Sequence, residues 1–236
     1  MNKYLELEQK DGRFFEYSKE PKEGFEKHTK ESGNVSYRKT YEKGAIGKLK
    51  YINEKEDDFG KGKVKSAVLV VEDENKDMLY LKIPVMSSKG SLNEYFEQLA
   101  TFLPNLKFGE TYRIYPYSME VTYENKAGEN KTSNNRGFSI STYDIENDTK
   151  LVKVERFHTY GAQGDIPNVI WTDEVDMGVT KKIKNDKERR NFLYNSFLST
   201  LTPQNTSQPA ATTAPTPVQE TPVAKFPEEE HDDLPF

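Results

Sequence analysis

The chain has 236 residues and no cysteine, which excludes disulfide bridges, zinc–thiolate sites and thiol nucleophiles. Its hydrophobic fraction of 34% is low for a fully globular chain and indicates that part of it does not join a core. No stretch approaches the roughly 20 apolar residues of a membrane helix, and the N-terminus lacks a signal-peptide core. We therefore expect a soluble cytoplasmic protein that does not bind a membrane.

The formal net charge of −5 is carried by the C-terminal end. From Thr202 onward there is one base, Lys225, against six acids, whereas residues 1–201 hold 33 bases and 33 acids. A neutral body can still carry a basic face. The acidic total therefore does not argue against nucleic-acid binding.

The first half of the chain predicts strands. Residues 1–40 are charged and bear Tyr and Phe without clear periodicity. Ala45–Asn53 mixes apolar and basic residues, and Ser66–Glu72 is a compact apolar run. In Met78–Val85 apolar and polar residues alternate after a turn-like segment, which predicts a hairpin with one wet face.

A helix is predicted next. Ser91 and Glu94 have the S-x-x-E spacing of a capping box, an apolar stripe follows, and Pro104 ends it. A second helix, capped by Asn185, is predicted after a long stretch that holds the only tryptophan, Trp171. The remaining predicted elements are strands at Thr111–Tyr123, Gly137–Tyr143 and Leu151–Phe157, a polar loop at Glu124–Arg136 and that second helix at Asp186–Leu201.

The order strand, strand, strand, helix, strand, strand is that of an OB-fold. This fold is a five-stranded, partly open barrel with a helix between its third and fourth strands. We therefore expect a mainly β domain over residues 1–201, with additions at both ends of the barrel and an extra C-terminal helix.

Residues 202–227 are rich in Pro, Thr, Ala and Gln and have no apolar periodicity. Such a segment cannot bury enough apolar surface to offset its conformational entropy, so a disordered linker is predicted. It leads to an acidic tip, residues 228–236.

Enzymatic signatures are absent from the sequence. His28, His158 and His231 are scattered, and no metalloprotease, phosphate-loop, dinucleotide-binding or nucleophile-elbow motif occurs. The acidic pairs 57–58 and 232–233 are interpreted as solvated carboxylates. We predict a protein that is not an enzyme and has no catalytic residue, metal or cofactor.

Aromatic and basic side chains interleave along the predicted strands. Unstacked bases stack on aromatic rings and phosphates attract cations, so such a face suits single-stranded DNA. Alternatively the rings fill the core, because Tyr and Phe are ordinary strand formers. Tyr80 and Lys82 are favoured because both lie opposite the apolar face of their strand. The predicted DNA-binding residues are Lys48, Lys50, Tyr51, Tyr80, Lys82, Arg113, Tyr115, Tyr117, Lys131, Arg136 and Phe138.

The chain ends in FPEEEHDDLPF. A terminal Phe joins an apolar ring to the α-carboxylate, which a partner can accept in a small pocket rimmed by Lys or Arg. Proline at the penultimate position restricts the preceding residue to extended conformations, which lowers the ordering cost of binding. The predicted protein-interaction residues are Asp232, Asp233, Leu234, Pro235 and Phe236.

These last five residues resemble the D-D-x-P-F tip of bacterial single-stranded DNA-binding proteins. An acidic, Phe-ended tail is also similar to that of phage single-stranded DNA-binding proteins. In the bacterial family an OB-fold precedes a Pro- and Gln-containing linker, and the tip docks onto replication and repair proteins. The resemblance covers the tip and the order of the parts. The domain is longer than a minimal OB-fold of the bacterial family and looks more like a divergent phage single-stranded DNA-binding protein.

The resemblance implies a sequence-independent single-stranded DNA-binding protein of DNA replication, recombination and repair in a bacterial or phage-infected cell. Its partners would be single-stranded DNA and, through the tip, proteins of polymerase, helicase, primase or recombinase type. A repair or recombination adaptor or mediator that uses the tip without strong DNA binding of its own is the alternative. A metal-dependent nuclease is disfavoured because the sequence has no clustered His, Asp and Glu set. The oligomeric state and a preference for DNA or RNA stay undetermined.

Overall fold

The computed structural model describes residues 1–29, 33–58, 63–87, 90–124, 128–176 and 179–201, without the side chains of residues 175, 176, 179 and 181. One compact unit reaches from Met1 to Thr202. The predicted linker, 202–227, and the predicted tip, 228–236, lie outside the described residues.

The fold is mainly β, as predicted. Ten strands form one sheet and two form a separate hairpin. The strands are β1 (Asn2–Glu8), β2 (Arg13–Ser18), β3 (Glu26–Thr29), β4 (Val35–Thr40), β5 (Ala45–Asp58), β6 (Lys63–Glu72), β7 (Met78–Pro84), β8 (Thr111–Glu124), β9 (Asn130–Asp144), β10 (Thr149–Lys153), β11 (Ile170–Asp176) and β12 (Val179–Asn185).

The strand order in the sheet is β10-β9-β8-β5-β6-β7-β1-β2-β4-β3. The five predicted barrel strands are therefore neighbours, in β5 to β9. The expected five-stranded barrel is nevertheless corrected, because the sheet has ten strands and no pairing among the described residues closes it. The edge of β7 that could close a barrel is occupied by β1, which pairs with it in parallel.

Residues 1–40, which show no clear periodicity, contribute four of these strands. Leu5 and Leu7 of β1 and Phe14 of β2 are buried in the core. The turn between β1 and β2 reaches β8 at Gly12, whose φ is +63°. A Cβ atom there would lie 2.3 Å from the Ser118 nitrogen, so the close approach requires glycine.

Helix α1 spans Glu94–Ala100, and a short 3-10 helix, Leu103–Asn105, follows it. The N-cap is Asn93, not Ser91 as predicted, because the Asn93 side chain accepts hydrogen bonds from two main-chain N–H groups of the first turn. Pro104 lies inside the 3-10 helix rather than directly after α1.

Helix α2 spans Lys187–Ser199, close to its prediction. Its N-cap is Asp186, which makes no side-chain capping bond, and not Asn185 as predicted; Asn185 Oδ1 accepts a hydrogen bond from the Lys187 main-chain nitrogen at 3.2 Å. Phe197 of α2 is fully buried, and its ring meets the Phe96 ring of α1 edge-on at 5.4 Å. Neither described helix has the length and apolar character needed to cross a membrane.

Strands β8 and β9 continue beyond the core as a two-stranded arm. Their pairing extends from Tyr112 opposite Thr142 to Glu124 opposite Asn130. The predicted polar loop, 124–136, is therefore mostly strand, because its Ser, Thr and Asn residues pair with β8 while their side chains face solvent. Strand β10 ends at Lys153, four residues earlier than predicted.

Candidate nucleic-acid interface

The sheet has a core face and an outer face. The two faces are distinguished by the alternation of buried and partly exposed residues along β7. Leu79, Leu81 and Ile83 are buried in the core, whereas Tyr80 and Lys82 lie between them and are partly exposed. The predicted wet side of this hairpin is therefore confirmed. Paired residues of neighbouring strands lie on the same face. This rule assigns the outer-face residues of the adjoining strands.

Three tyrosines from three strands meet on the outer face, and we call Tyr4, Tyr51 and Tyr80 the tyrosine row. The Tyr4 and Tyr80 rings stack with centroids 4.8 Å apart and planes at 23°. The Tyr51 hydroxyl donates to the Tyr80 hydroxyl at 3.3 Å. Burial and this hydrogen bond raise the pKa of Tyr51 to about 12, so it is neutral at physiological pH. Tyr4 is 60% exposed and keeps one ring face open for a base.

The lysines beside the tyrosine row are already paired with carboxylates. Lys82 Nζ lies 2.5 Å from Asp57 Oδ2, and Lys50 Nζ lies 3.1 Å from Glu72 Oε2. Hydrogen bonding to Lys82 lowers the pKa of Asp57, so the acid is ionised near neutral pH. A phosphate would have to compete with these acids. Of the predicted cations on β5, only Lys48 makes no ion pair with a described carboxylate.

Of the three predicted contacts on β9, Phe138 is buried, and Arg136 and Lys131 are paired with carboxylates. Phe138 is corrected to a core residue: it is buried against Phe14, and Tyr95 meets its ring edge-on at 5.6 Å, which leaves no face for a base. Arg136 Nη1 pairs with Glu94 Oε2 of α1 at 3.2 Å. Lys131 Nζ lies 3.5 Å from Glu129 Oε2.

The predicted residues on β8 form a better surface. Arg113, Tyr115 and Tyr117 alternate with buried residues and lie on the outer face. Their partners on β9 are Ser141, Ser139 and Gly137, all small, and the Tyr117 ring packs over Gly137, where a Cβ atom would lie 2.9 Å from the Tyr117 hydroxyl oxygen. The Arg113 guanidinium lies 5.0 Å from the centroid of the Tyr115 ring. Cation and aromatic ring are thus adjacent, as a nucleotide requires.

A groove of about 510 Å³ adjoins this stripe. Tyr117 and Ser139 line it from the sheet, and Lys153, Glu155 and Arg156 line it from the chain after β9. That segment is held by main-chain hydrogen bonds, from Val154 N to Ile140 O at 2.9 Å and from Phe157 N to Thr101 O at 2.8 Å. The position of the cations is therefore set by the backbone.

We use the name β8 groove for the stripe of Arg113, Tyr115 and Tyr117 together with Lys153 and Arg156, which line the adjoining groove with Tyr117. Within the described ranges, none of its three cations has a carboxylate at ion-pair distance. The Arg156 guanidinium donates to the amide oxygen of Gln98 at 2.5 Å and lies over the Phe102 ring at 5.4 Å. Aromatic rings and a neutral amide orient this cation without cancelling its charge.

Sequence reasoning missed three of the surface residues. Lys153 and Arg156 follow Lys150 at every third position, a basic spacing that could have signalled a binding segment. Tyr4 had no local signal, because its place beside Tyr80 depends on the parallel pairing of β1 with β7. Lys48 remains on the outer face at the edge of the surface.

A Ser–His–Asp arrangement lies outside this surface. The His158 Nδ1 is 2.5 Å from Asp165 Oδ2, and its Nε2 is 2.7 Å from Ser196 Oγ. Ser196 lies within α2, where main-chain N–H groups bond inside the helix and do not form an oxyanion hole. The imidazole is also packed edge-on against Phe157 and Phe192. We interpret this set as a link between loop and helix.

The candidate surface holds no evident metal site. Across the described part of the chain, no group of three or more His, Asp or Glu side chains is placed to hold a metal ion. Asp57, one of the acidic residues considered from the sequence, is engaged by Lys82 and Lys55. Asp232 and Asp233 lie outside the described residues.

Comparisons of this chain with family models, curated proteins and solved structures found no match.

Proposed function

We propose that this protein binds single-stranded DNA without sequence preference, in DNA replication, recombination or repair. The observation that carries the proposal is the β8 groove. None of its three cations forms an ion pair with a described carboxylate, Arg113 lies beside the Tyr115 ring, and Lys153 and Arg156 line the groove with Tyr117. The tyrosine row is the second contact, through the open face of Tyr4.

The chemistry of the groove matches a nucleotide unit. A base that stacks on Tyr117 or Tyr115 gains about 1–3 kcal/mol and needs no particular base identity, since every base has a π-face. Lys153 and Arg156, on the other side of the groove, would neutralise the flanking phosphates. Binding therefore follows the backbone and the rings rather than base edges.

We also propose that β5 to β9 with α1 are an OB-fold opened at β7. The support is that these strands are consecutive neighbours in the sheet, with α1 between the third and the fourth. The pair β1 and β2 would then be an insertion that extends the binding face.

The tip completes the proposed function. Its acidic residues and terminal Leu-Pro-Phe suit a basic-rimmed apolar pocket on replication or repair proteins in the cytoplasm of a bacterial or phage-infected cell. Residues 228–236 would recruit these partners while the sheet holds DNA.

The test is a fluorescence anisotropy titration of the full chain with labelled oligo-dT. We expect saturable binding at low salt that weakens as salt rises. Tyr117→Ala and Arg156→Gln should each weaken it, whereas Phe108→Ala, an exposed ring outside the surface, should not. Absence of binding at low salt would refute the proposal, and a matched oligo-U would measure any preference for DNA.

The adaptor function is the second candidate, and one observation favours it. Lys50, Lys82, Lys131 and Arg136 are already paired with carboxylates. If oligo-dT does not bind but a partner still binds through the tip, the adaptor function is correct.

A further inference from the structure

The hairpin of β11 and β12 is separate from the main sheet, and among the described residues its two strands pair only with each other. Its base is anchored: Ile166 is buried in the core, and Arg189 Nε of α2 donates to Pro167 O at 3.0 Å. A two-stranded hairpin is marginally stable in water by itself. An additional contact on one of its faces would therefore stabilise it.

One face of this hairpin combines the only tryptophan of the chain with lysines. Trp171 is 60% exposed and lies directly opposite Lys184. The next pair on the same face is Asp173 with Lys182. Ile170 lies beside Trp171 in sequence but on the opposite face. We call Trp171, Lys182 and Lys184 the tryptophan face.

The charges of this face suit an anion. Lys182 makes no ion pair with any carboxylate that the structure describes. Lys184 Nζ lies 3.6 Å from Asp186 Oδ2, and the other oxygen of that carboxylate pairs with Arg190 Nε at 2.9 Å. Asp186 is therefore shared between two cations, which leaves positive charge on the face despite Asp173.

Building on the proposed function, we propose that the tryptophan face is a further contact for single-stranded DNA. The indole stacks on a base, and Lys182 and Lys184 neutralise the phosphates that flank it. A large exposed ring beside cations is the combination that a strand with splayed bases requires. An apolar protein surface would cover the ring but would bring no charge for the lysines.

Trp171 reports on this contact directly, because it is the only tryptophan. The full chain is titrated with labelled oligo-dT while anisotropy and tryptophan emission are recorded together. We expect the emission to be quenched with the same midpoint as the anisotropy change. If anisotropy saturates and the emission does not change, the inference is refuted and the proposed function stands. If neither signal changes, both are refuted.

A matched pair of variants supplies the second test. Trp171→Ala should weaken oligo-dT binding about tenfold. Ile170→Ala removes a similarly exposed apolar side chain from the opposite face and should leave the affinity unchanged. Circular dichroism checks that both variants fold. Equal affinities of the two variants would overturn the assignment of the tryptophan face to DNA.

Discussion

At the scale of single residues, whether a lysine can bind a phosphate depends on what it already contacts. Lys82 alternates cleanly with buried residues, yet its ammonium group is held by Asp57 at 2.5 Å. Lys153 has no such partner among the described residues and lines a groove beside Tyr117. Counterion release on DNA binding is expected from the second lysine and not from the first.

This contrast is measurable through salt dependence. Lys153→Gln should reduce the slope of log affinity against log salt for oligo-dT by about 0.7, the share of one phosphate on a single strand. Lys82→Gln should leave the slope nearly unchanged, because its charge is balanced by Asp57. Anisotropy titrations at several salt concentrations give both slopes. If Lys82→Gln reduces the slope more than Lys153→Gln does, DNA binds at the tyrosine row rather than at the β8 groove.

The hydrogen bonds that join His158 to Asp165 and Ser196 predict a pH dependence of the stability of the protein. The hydrogen bond from His158 lowers the pKa of Asp165 below its ordinary value of 3.8. A carboxyl whose pKa is depressed on folding stabilises the protein above its unfolded pKa, and that stability is lost as pH falls through the folded pKa. The free energy of unfolding of the parent should therefore exceed that of Asp165→Asn near neutral pH, and the gap should narrow below about pH 4.

Urea unfolding at a series of pH values measures that gap. Glu23→Gln, which alters an exposed carboxylate, supplies the baseline. If the difference in free energy of unfolding between the parent and Asp165→Asn stays constant down to acidic pH, the lost stability comes from the hydrogen bond of the Thr159 N–H with Asp165 alone.

At the scale of elements, β1 decides the architecture, although it is short and at the N-terminus. Its residues alternate between Tyr4 on the outer face and Leu5 in the core. By pairing in parallel with β7 it covers the edge at which a five-stranded barrel would close. The strand therefore contributes to the core and to the proposed DNA-binding face at the same time.

Neighbouring substitutions in β1 separate these contributions. Leu5→Ala should lower the free energy of unfolding by about 2–5 kcal/mol, because it leaves a cavity in a fully buried site. Tyr4→Ala should change stability much less and should weaken oligo-dT binding instead. Urea unfolding followed by circular dichroism and anisotropy titration measure the two effects. If Leu5→Ala lowers the free energy of unfolding only slightly, β1 is dispensable for the core.

At the scale of the whole molecule, the net charge of −5 lies entirely beyond Leu201, and the body is neutral. An anionic segment on the same chain reduces the attraction of the protein for a polyanion. Changing Glu228, Glu229, Glu230, Asp232 and Asp233 to their amides should therefore tighten oligo-dT binding modestly at low salt. The gain should disappear at high salt, where such long-range charge effects are screened. Unchanged affinity at low salt would contradict this.

The tip and the sheet should be separable in function. Deletion of Phe236 removes the terminal ring and moves the α-carboxylate, so we expect it to abolish binding of a tip-dependent partner. Oligo-dT affinity should not change, since the proposed DNA contacts lie in β1, β5 and β7 to β9 and in the chain after β9. Parallel pull-down and anisotropy measurements test this, and a loss of DNA affinity on deletion would contradict it.

Sequence alone determined the elements whose signal is local. Five strands at β5 to β9 and helices α1 and α2 follow from periodicity, because a run of neighbouring residues specifies which side is buried. The division of charge between a neutral body and an acidic tail, and the Asp-Asp-Leu-Pro-Phe ending, can also be read directly from the sequence. Tyr80 could be assigned to a wet face for the same reason.

Only the tertiary structure decided what depends on contacts between distant residues. The parallel pairing of Tyr4 with Tyr80 spans 76 positions, and no local pattern encodes it. The burial of Phe138 and the pairing of Lys82 with Asp57 also required the packed sheet. The same packing places Lys153 and Arg156, the two cations that sequence reasoning missed, in the lining of the groove. Sequence predicts which side chains suit DNA, but their neighbours in space decide which of them are available to it.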